Sequence, residues 1–306
     1  QKQLEKASAE GQVGLALKET HPGLLSKLKA ILKQIVEENM IEIGPDPVVP
    51  SLQTSYSVKA EILLKVMRDH WHKQAEETLG TGEQLLKLAD VHSEQKLDAL
   101  VLMTTAAARA RKPDAATRFA HNAETLCNAL DKPLPYAVAR QLGDSEWSKK
   151  QFAAAAVRYR ESLAAPDCDW RARFGTELRL IECLNLERKF ADVIRFCDSV
   201  IARKDDDSPS ELKGDFLLRK LEALRNLGKT EQMFAAYKEL LNSNAQPNAK
   251  LGGVIAVVVF HRSQKQLEKA SAEGQVGLAL KKTHPGLLSK LTAILEQIVE
   301  EKTKQK

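Results

Sequence analysis

The sequence predicts an all-α protein, built as an array of antiparallel helical hairpins. Apolar residues recur every three to four positions in one segment after another, which is the spacing of a single helix face. Aromatic residues form only 5% of the 306 residues, which disfavours a β-sandwich or barrel. Hydrophobic residues at 43% and charged residues at 28% are typical of a folded chain. A helical pair that occurs twice is the third observation.

This duplicated pair lies at residues 1–39 and 264–302, and it predicts a helical hairpin at each end of the sequence. The copies differ at four of 39 positions: Glu19/Lys282, Lys29/Thr292, Lys33/Glu296 and Asn39/Lys302. In each copy a proline, Pro22 or Pro285, is well placed to begin the second helix. The apolar stripe of that helix is unchanged: Leu24, Leu28, Ile31 and Ile35 correspond to Leu287, Leu291, Ile294 and Ile298.

Three explanations of the duplication stay open. The chain is cut from a longer protein with a 263-residue period, the first copy was fused ahead of Met40, or the copies cap both ends of one array. Identical packing faces at opposite ends also lead to the hypothesis that these hairpins exchange between molecules and join chains.

The predicted domains follow from these features. Residues 1–39 form the first hairpin, and residues 40–54 form a linker whose prolines, Pro45, Pro47 and Pro50, no helix tolerates. Residues 55–262 form a helical repeat domain. Residues 263–306 form the C-terminal hairpin, which ends in a Lys-rich tail.

Helix boundaries inside the repeat domain are predicted from apolar stripes and capping signals. One long helix is expected from Tyr56 to about Leu79, followed by a shorter one that begins at the capping box of residues 81–84. Residues 94–111 form another, and Pro113 separates it from a clear helix over residues 115–130.

Two later segments complete the predicted helices. Residues 208–211 form a capping box with proline at the first helical position, which indicates a helix start. Residues 250–263 are rich in β-branched residues, which favour a strand, but an array of helices favours a buried helix. We expect the helix.

Small and aromatic residues in the middle of the chain follow a known pattern: Ala139, Leu142, Gly143, Phe152, Ala155, Tyr159 and Leu163. This segment resembles the tetratricopeptide repeat (TPR), in which small residues, here Gly143 and Ala155, let two antiparallel helices approach closely. The hairpins at 171–204 and 210–244 keep part of the pattern, although Ile181 and Val193 replace small residues, and residues 94–130 resemble a degenerate repeat. The resemblance implies a right-handed superhelical array, a TPR-like α-solenoid.

Candidate chemistry is weak throughout the sequence. His70 and His72 lie two positions apart on a helix, so their imidazoles point about 200° apart and cannot share an ion. The acidic run at residues 205–207 lacks the pattern of a calcium-binding loop. Phosphate-binding and nucleophile motifs are absent. We therefore predict no catalytic, cofactor or metal site, and no enzyme.

The bulk properties point to a reducing, cytoplasmic setting. The four cysteines show no C-x-x-C spacing, which favours reduced, structural thiols. No run approaches the ~20 apolar residues of a membrane span. The net charge of +5 is mild, so it permits an acidic partner without requiring nucleic acid.

The predicted function is a non-catalytic protein–protein interaction scaffold that binds a peptide or helix in a groove lined by the first helix of each hairpin. Arg140, Glu177 and Arg219 are its candidate contacts. The alternatives are a helical regulatory module and an RNA-binding solenoid. The second rests on bases mixed with aromatic residues: Arg158, Arg160, Arg171 and Arg173 beside Tyr159, Trp170 and Phe174. The same arginines also fit an ordinary solvated face next to glutamates.

Overall fold

Thirteen α-helices and one short 3₁₀-helix, Ser210–Leu212, form the regular structure in a computed structural model that describes residues 57–71, 73–89, 91–203, 210–280 and 283–305. No strand occurs within these ranges. The helices are α1 (Ser57–His70), α2 (Ala75–Leu86), α3 (Ser93–Arg109), α4 (Pro113–Ala129), α5 (Tyr136–Ser148), α6 (Phe152–Ala164), α7 (Trp170–Leu186), α8 (Phe190–Ile201), α9 (Lys213–Asn226), α10 (Thr230–Asn242), α11 (Pro247–Ser263), α12 (Leu267–Leu278) and α13 (Pro285–Gln305).

The first twelve helices pair as successive hairpins, in which an odd-numbered first helix is followed by an even-numbered second helix, and α13 follows α12 at the end of the array. Each helix packs on the next in the chain, and first helices also touch one another in the pairs α1–α3, α3–α5, α7–α9, α9–α11 and α11–α13. The predicted all-α array of antiparallel hairpins that resembles TPR proteins is confirmed.

One turn geometry joins the first helix to the second in five successive hairpins. Each turn holds a residue at positive φ: Arg111, Lys150, Arg188, Gly228 and Lys265. The next residue donates its N–H to a carbonyl five positions earlier, as in Lys112 to Ala107 (2.9 Å) and Lys189 to Leu184 (2.8 Å). This is the Schellman pattern that ends many helices. The turns lie 39, 38, 40 and 37 residues apart, a period longer than the 34 residues of the TPR pattern.

Close approach of α5 and α6 depends on a missing side chain. A Cβ placed on Gly143 would lie 2.7 Å from Cε1 of Tyr159, a contact that real Cβ atoms do not make. Tyr159 is fully buried, and its hydroxyl donates to Oδ1 of Asp144 at 2.7 Å. Burial, and then the Asp144 carboxylate, raise the pKa of Tyr159 and keep the hydroxyl protonated. The spacing role expected for Gly143 is confirmed.

The long helix expected from Tyr56 to Leu79 is wrong, because α1 ends at His70 and α2 begins at Ala75. Trp71 lies in the break, under the guanidinium of Arg109, which is 4.6 Å from the centre of a Trp71 ring. The apolar stripe continues across the break, and no glycine or proline marks it. The break between α1 and α2 therefore coincides with a contact to Arg109 of α3, and the local sequence does not reveal it.

The helix start predicted at residues 81–84 is also wrong, since Thr81 lies inside α2. Gly82 is the reason that α2 fits between its neighbours. A Cβ there would lie 2.5 Å from Sδ of Met103 and 3.0 Å from Cε of Met67. Packing against α1 and α3 thus outweighs a capping signal that needs only four residues.

The apolar segment at 250–263 is helical, as expected, and it forms most of α11. Nine residues of α11 are buried, because α9, α10, α12 and α13 all pack on this helix. Tertiary contacts therefore override the strand preference of β-branched residues. The duplicated segment 1–39, the linker 40–54, the acidic run 205–207 and the first two residues of the capping box at 208–211 lie outside the described residues.

Replacing Gly143 by leucine should lower the free energy of unfolding by about 1–3 kcal/mol, because the new side chain overlaps the Tyr159 ring. Urea unfolding followed by circular dichroism measures the change. Gly80→Leu is the matched control, since nothing lies within 4 Å of a Cβ on Gly80. The control should gain up to about 1 kcal/mol from helix propensity. Equal effects of both substitutions would contradict the packing argument.

Candidate interaction surface

The first helices α5, α7 and α9 present a polar face that points away from their buried side. Asp144, Glu182 and Arg219 each lie two positions from a fully buried leucine: Leu142, Leu180 and Leu221 respectively. Two positions on a helix correspond to about 200°, so these charges lie nearly opposite the core. We call the face that carries these three residues the charged first-helix face.

Each of the three helices carries an arginine–carboxylate pair on this face. Their N–O distances are 3.9 Å for Arg140–Asp144, 3.1 Å for Arg179–Glu182 and 3.1 Å for Arg219–Glu222. All six side chains keep about a third to a half of their surface exposed. Exposed pairs of this kind add only about 0.3–0.5 kcal/mol each to helix stability. Apart from Asp144, which also accepts the hydrogen bond of the buried Tyr159 hydroxyl, their charges are therefore available to a partner at little cost to the fold.

Arg140 is oriented across the junction between α5 and α7. Its Nη1 donates to the hydroxyl of Tyr136 at 2.8 Å, and that hydroxyl donates to the carbonyl of Ala172 at 2.7 Å. The guanidinium lies beside Gly175 of α7, at ordinary van der Waals distance (3.6 Å) from the position of a Cβ on that residue. The structure thus places Arg140 near the charged first-helix face.

Glu177 does not lie on this face, because only 4% of its surface is exposed. Its carboxylate forms an ion pair with Arg203, which follows α8. The predicted contact residue Arg173 lies close by and lines, with Trp170 and Lys213, a cavity of about 10 Å³. That volume holds roughly one water molecule. Glu177 therefore belongs to the packing between hairpins, which its sequence neighbours do not indicate.

The predicted basic–aromatic cluster is divided between helices α6 and α7, and its arginines are either paired with glutamates or exposed to solvent. Arg158 on α6 lies between Glu124 and Glu161, at 2.7 and 3.0 Å. Arg160 is exposed on the same second helix, whereas Arg171 is exposed on α7, 5.2 Å from the centre of a Trp170 ring. Since Tyr159 is buried between helices, these groups do not form one continuous strip.

Asp215 is a charged residue of this region that the sequence analysis missed. It lies on α9, one turn before Arg219, and burial raises the pKa of its carboxyl although Arg219 partly offsets the effect. Its neighbour Gly214 packs tightly against Ala245 and Ala249, which explains the loss of solvent. An acidic residue in the first turn of a helix is common, so the sequence alone carried no signal.

All four cysteines are free and buried. Burial raises the pKa of Cys183 to about 11 and that of Cys197 to about 12, which keeps both thiols neutral. Within the described ranges, no three His, Cys, Asp or Glu side chains come together as metal ligands would. None of the described helices is long and apolar enough to cross a membrane.

Comparison with known proteins identifies no family, since no family model and no curated protein matches the chain. Among solved structures, a kinesin light chain from Podosopora anserina with nearly identical TPR-like repeats aligns with a TM-score of 0.45 and 12% identity, over 60% of this chain and 94% of that one. The apo form of the quorum sensor NprR from B. thuringiensis aligns with a TM-score of 0.49 and 11% identity, over 98% of this chain and 82% of that one. The structure of Naa15/Naa10 bound to HypK-THB aligns with a TM-score of 0.31 and 14% identity, over 78% of this chain and 39% of that one. The fold assignment rests on the hairpins themselves.

Arg203→Ala should lower the free energy of unfolding by about 1.5–3 kcal/mol, because it removes a charge-assisted hydrogen bond and ion pair of the buried Glu177 carboxylate. Arg195→Ala on α8 is the control, since the Arg195 side chain is 80% exposed in its pair with Asp192. The control should lose no more than about 0.5 kcal/mol. Thermal or urea unfolding measures both, and similar small losses would show that the Glu177 pair is not a structural contact.

Asp215→Asn should raise the free energy of unfolding at neutral pH. Burial raises the folded-state pKa of Asp215 above its usual 3.8, so ionisation destabilises the folded chain. The wild type regains this stability as the pH falls from the folded-state pKa to the usual 3.8 of the unfolded chain, and the advantage of the variant should disappear below that pH. Urea unfolding between pH 3.5 and 7 checks this, with Asp114→Asn in the exposed first turn of α4 as control. An advantage that persists at low pH would exclude titration of Asp215 as its cause.

Proposed function

We propose that this protein is a non-catalytic interaction module that binds a peptide or helix of a partner protein along the charged first-helix face. The observation that carries the proposal is the row formed by Asp144, Glu182 and Arg219, on three successive first helices. These helices hold the row on a rigid base, because their opposite sides are fully buried.

The charges on this face favour a partner of mixed charge. Each helix offers both signs, since the arginines and carboxylates alternate within one or two turns. Mixed charges give specificity and fix the register of a polypeptide, whereas a phosphate backbone prefers one continuous basic surface. Arg140 and Arg219 are the proposed contacts for carboxylates of the partner, and Glu182 is the proposed contact for its bases.

RNA binding and a regulatory role in a larger assembly are the alternative proposals. For RNA, the exposed Arg160 and Arg171 are the relevant bases. They lie on a second and a first helix, so a strand would have to cross between them. We also propose a cytoplasmic location, which the four free, buried cysteines support because they suit a reducing compartment.

Inversion of the charged first-helix face tests the proposal. In the double variant Glu182→Arg/Arg219→Glu the two charges exchange places, so the net charge of the protein is unchanged. Peptides are first selected from a displayed random library with the full chain, and their affinities are then measured by calorimetry. We expect the variant to bind at least about tenfold more weakly, which corresponds to about 1.4 kcal/mol.

Lys238→Glu/Glu239→Lys is the matched control, because both residues are exposed on the second helix α10 and the net charge is again unchanged. It should bind within about twofold of the wild type. An equal loss of peptide affinity in both variants, or failure to select any peptide, would contradict the proposal that the charged first-helix face binds the partner. RNA binding that weakens steeply with salt would instead favour the nucleic-acid alternative.

A further inference from the structure

Helices α12 and α13 together form the copy of residues 1–39, and we call this pair the C-terminal hairpin. It packs on the surface of α11 and α10 that carries Val254, Arg262 and Tyr237, which we call the seat. A Cβ on Gly277 would lie 2.9 Å from Cγ1 of Val254, so the glycine lets α12 approach α11 closely. Leu291 and Ile298 of α13 are fully buried in the cluster that also contains Val254. These apolar contacts make the hairpin an integral part of the C-terminal core.

Hydrogen bonds fix the hairpin in register on the same seat. Arg262 at the end of α11 donates from Nε to Oε1 of Glu301 at 3.0 Å and from Nη1 to Oε1 of Gln297 at 2.6 Å. The hydroxyl of Tyr237 on α10 donates to Oε2 of Glu273 at 2.7 Å. Burial, and then the bond to Glu273, raise the pKa of Tyr237, so the phenol remains a donor. The seat therefore recognises both shape and three polar groups.

Every hairpin residue named in these contacts occurs again in residues 1–39. Glu273, Gly277, Leu291, Gln297, Ile298 and Glu301 correspond to Glu10, Gly14, Leu28, Gln34, Ile35 and Glu38. Substitutions between the copies fall elsewhere: Thr292 and Glu296 are exposed, and Lys302 pairs with Glu268 of the same hairpin. The fourth, Lys282, lies outside the described residues. The face that fits the seat is thus duplicated without change.

We propose that residues 1–39 of a second copy of this chain bind the seat on α11 in place of residues 264–302. The joint is heterologous, so it links molecules head to tail. The tethered hairpin normally keeps the seat, because its effective concentration is in the millimolar range for a short connection. The three residues between α11 and α12 are such a connection. Exchange follows when the tethered hairpin is displaced or when the chain is concentrated.

Paired aspartate substitutions in the full chain test this exchange. Leu291→Asp/Ile298→Asp places two carboxylates in the apolar core and expels residues 264–302 from the seat. We expect α11 amides to stay protected from hydrogen exchange, and the mass from light scattering to rise above the 33.9 kDa of one chain as concentration increases. Adding Leu28→Asp/Ile35→Asp should abolish both effects, leaving one-chain mass and an unprotected α11.

Thr292→Asp/Val299→Asp is the matched control, because both positions are exposed on α13 and the added charge is the same. It should behave as the wild type. The proposal is overturned if Leu291→Asp/Ile298→Asp exposes α11 as fully as the fourfold variant does. Protection of α11 at one-chain mass would assign the seat to residues 1–39 of the same molecule and overturn the link between molecules. Persistent protection of residues 264–302 would show that the apolar contacts do not define the seat. It is followed in peptides that span positions 291 and 298, because residues 264–281 are identical to residues 1–18.

Discussion

The left-handed turn between first and second helices is the constraint on which the rest of the array depends. In five hairpins one residue holds φ between 55° and 70°, and the following N–H donates to a carbonyl of the first helix. This geometry reverses the chain within three residues and fixes where the second helix begins. Four of the five positions are lysine or arginine, for which a left-handed backbone costs about 1–2 kcal/mol. Packing between helices must therefore hold the turn, because glycine does so only at Gly228.

Packing between neighbouring helices has its own requirement, which small residues meet at different places along the array. Gly143 makes room for Tyr159, Gly82 makes room for Met103, and Gly277 makes room for Leu291 and Val254. The repeat is therefore regular in its backbone and irregular in its side chains. This explains why the TPR resemblance is clear around residues 139–163 and fades in the other hairpins, although all share one architecture.

Burial decides which charged residues are free to act. Glu177 and Glu182 lie on the same helix five residues apart, yet one is buried against Arg203 and the other is exposed beside Arg179. Arg158 and Arg160 are neighbours, but Arg158 lies between two glutamates. The candidate contact residues predicted from sequence therefore include both charges that are held in structural ion pairs and charges that face solvent. Of the seven candidates, Arg140 and Arg219 lie at the charged first-helix face.

The sequence by itself determined the helical class, the hairpin organisation, the helix after Pro113, the helical state of residues 250–263 and the spacing role of Gly143. These features depend on periodicity and on residues within a few positions, which a linear pattern records. Only the tertiary structure decided the break between His70 and Ala75, the burial of Glu177 and the environment of Asp215. Each of these depends on a partner far away in the chain: Arg109 on Trp71, Arg203 on Glu177, and Ala245 against Gly214. Contacts between residues that lie 26 to 38 positions apart leave no local sequence pattern, because either partner alone is compatible with a surface position.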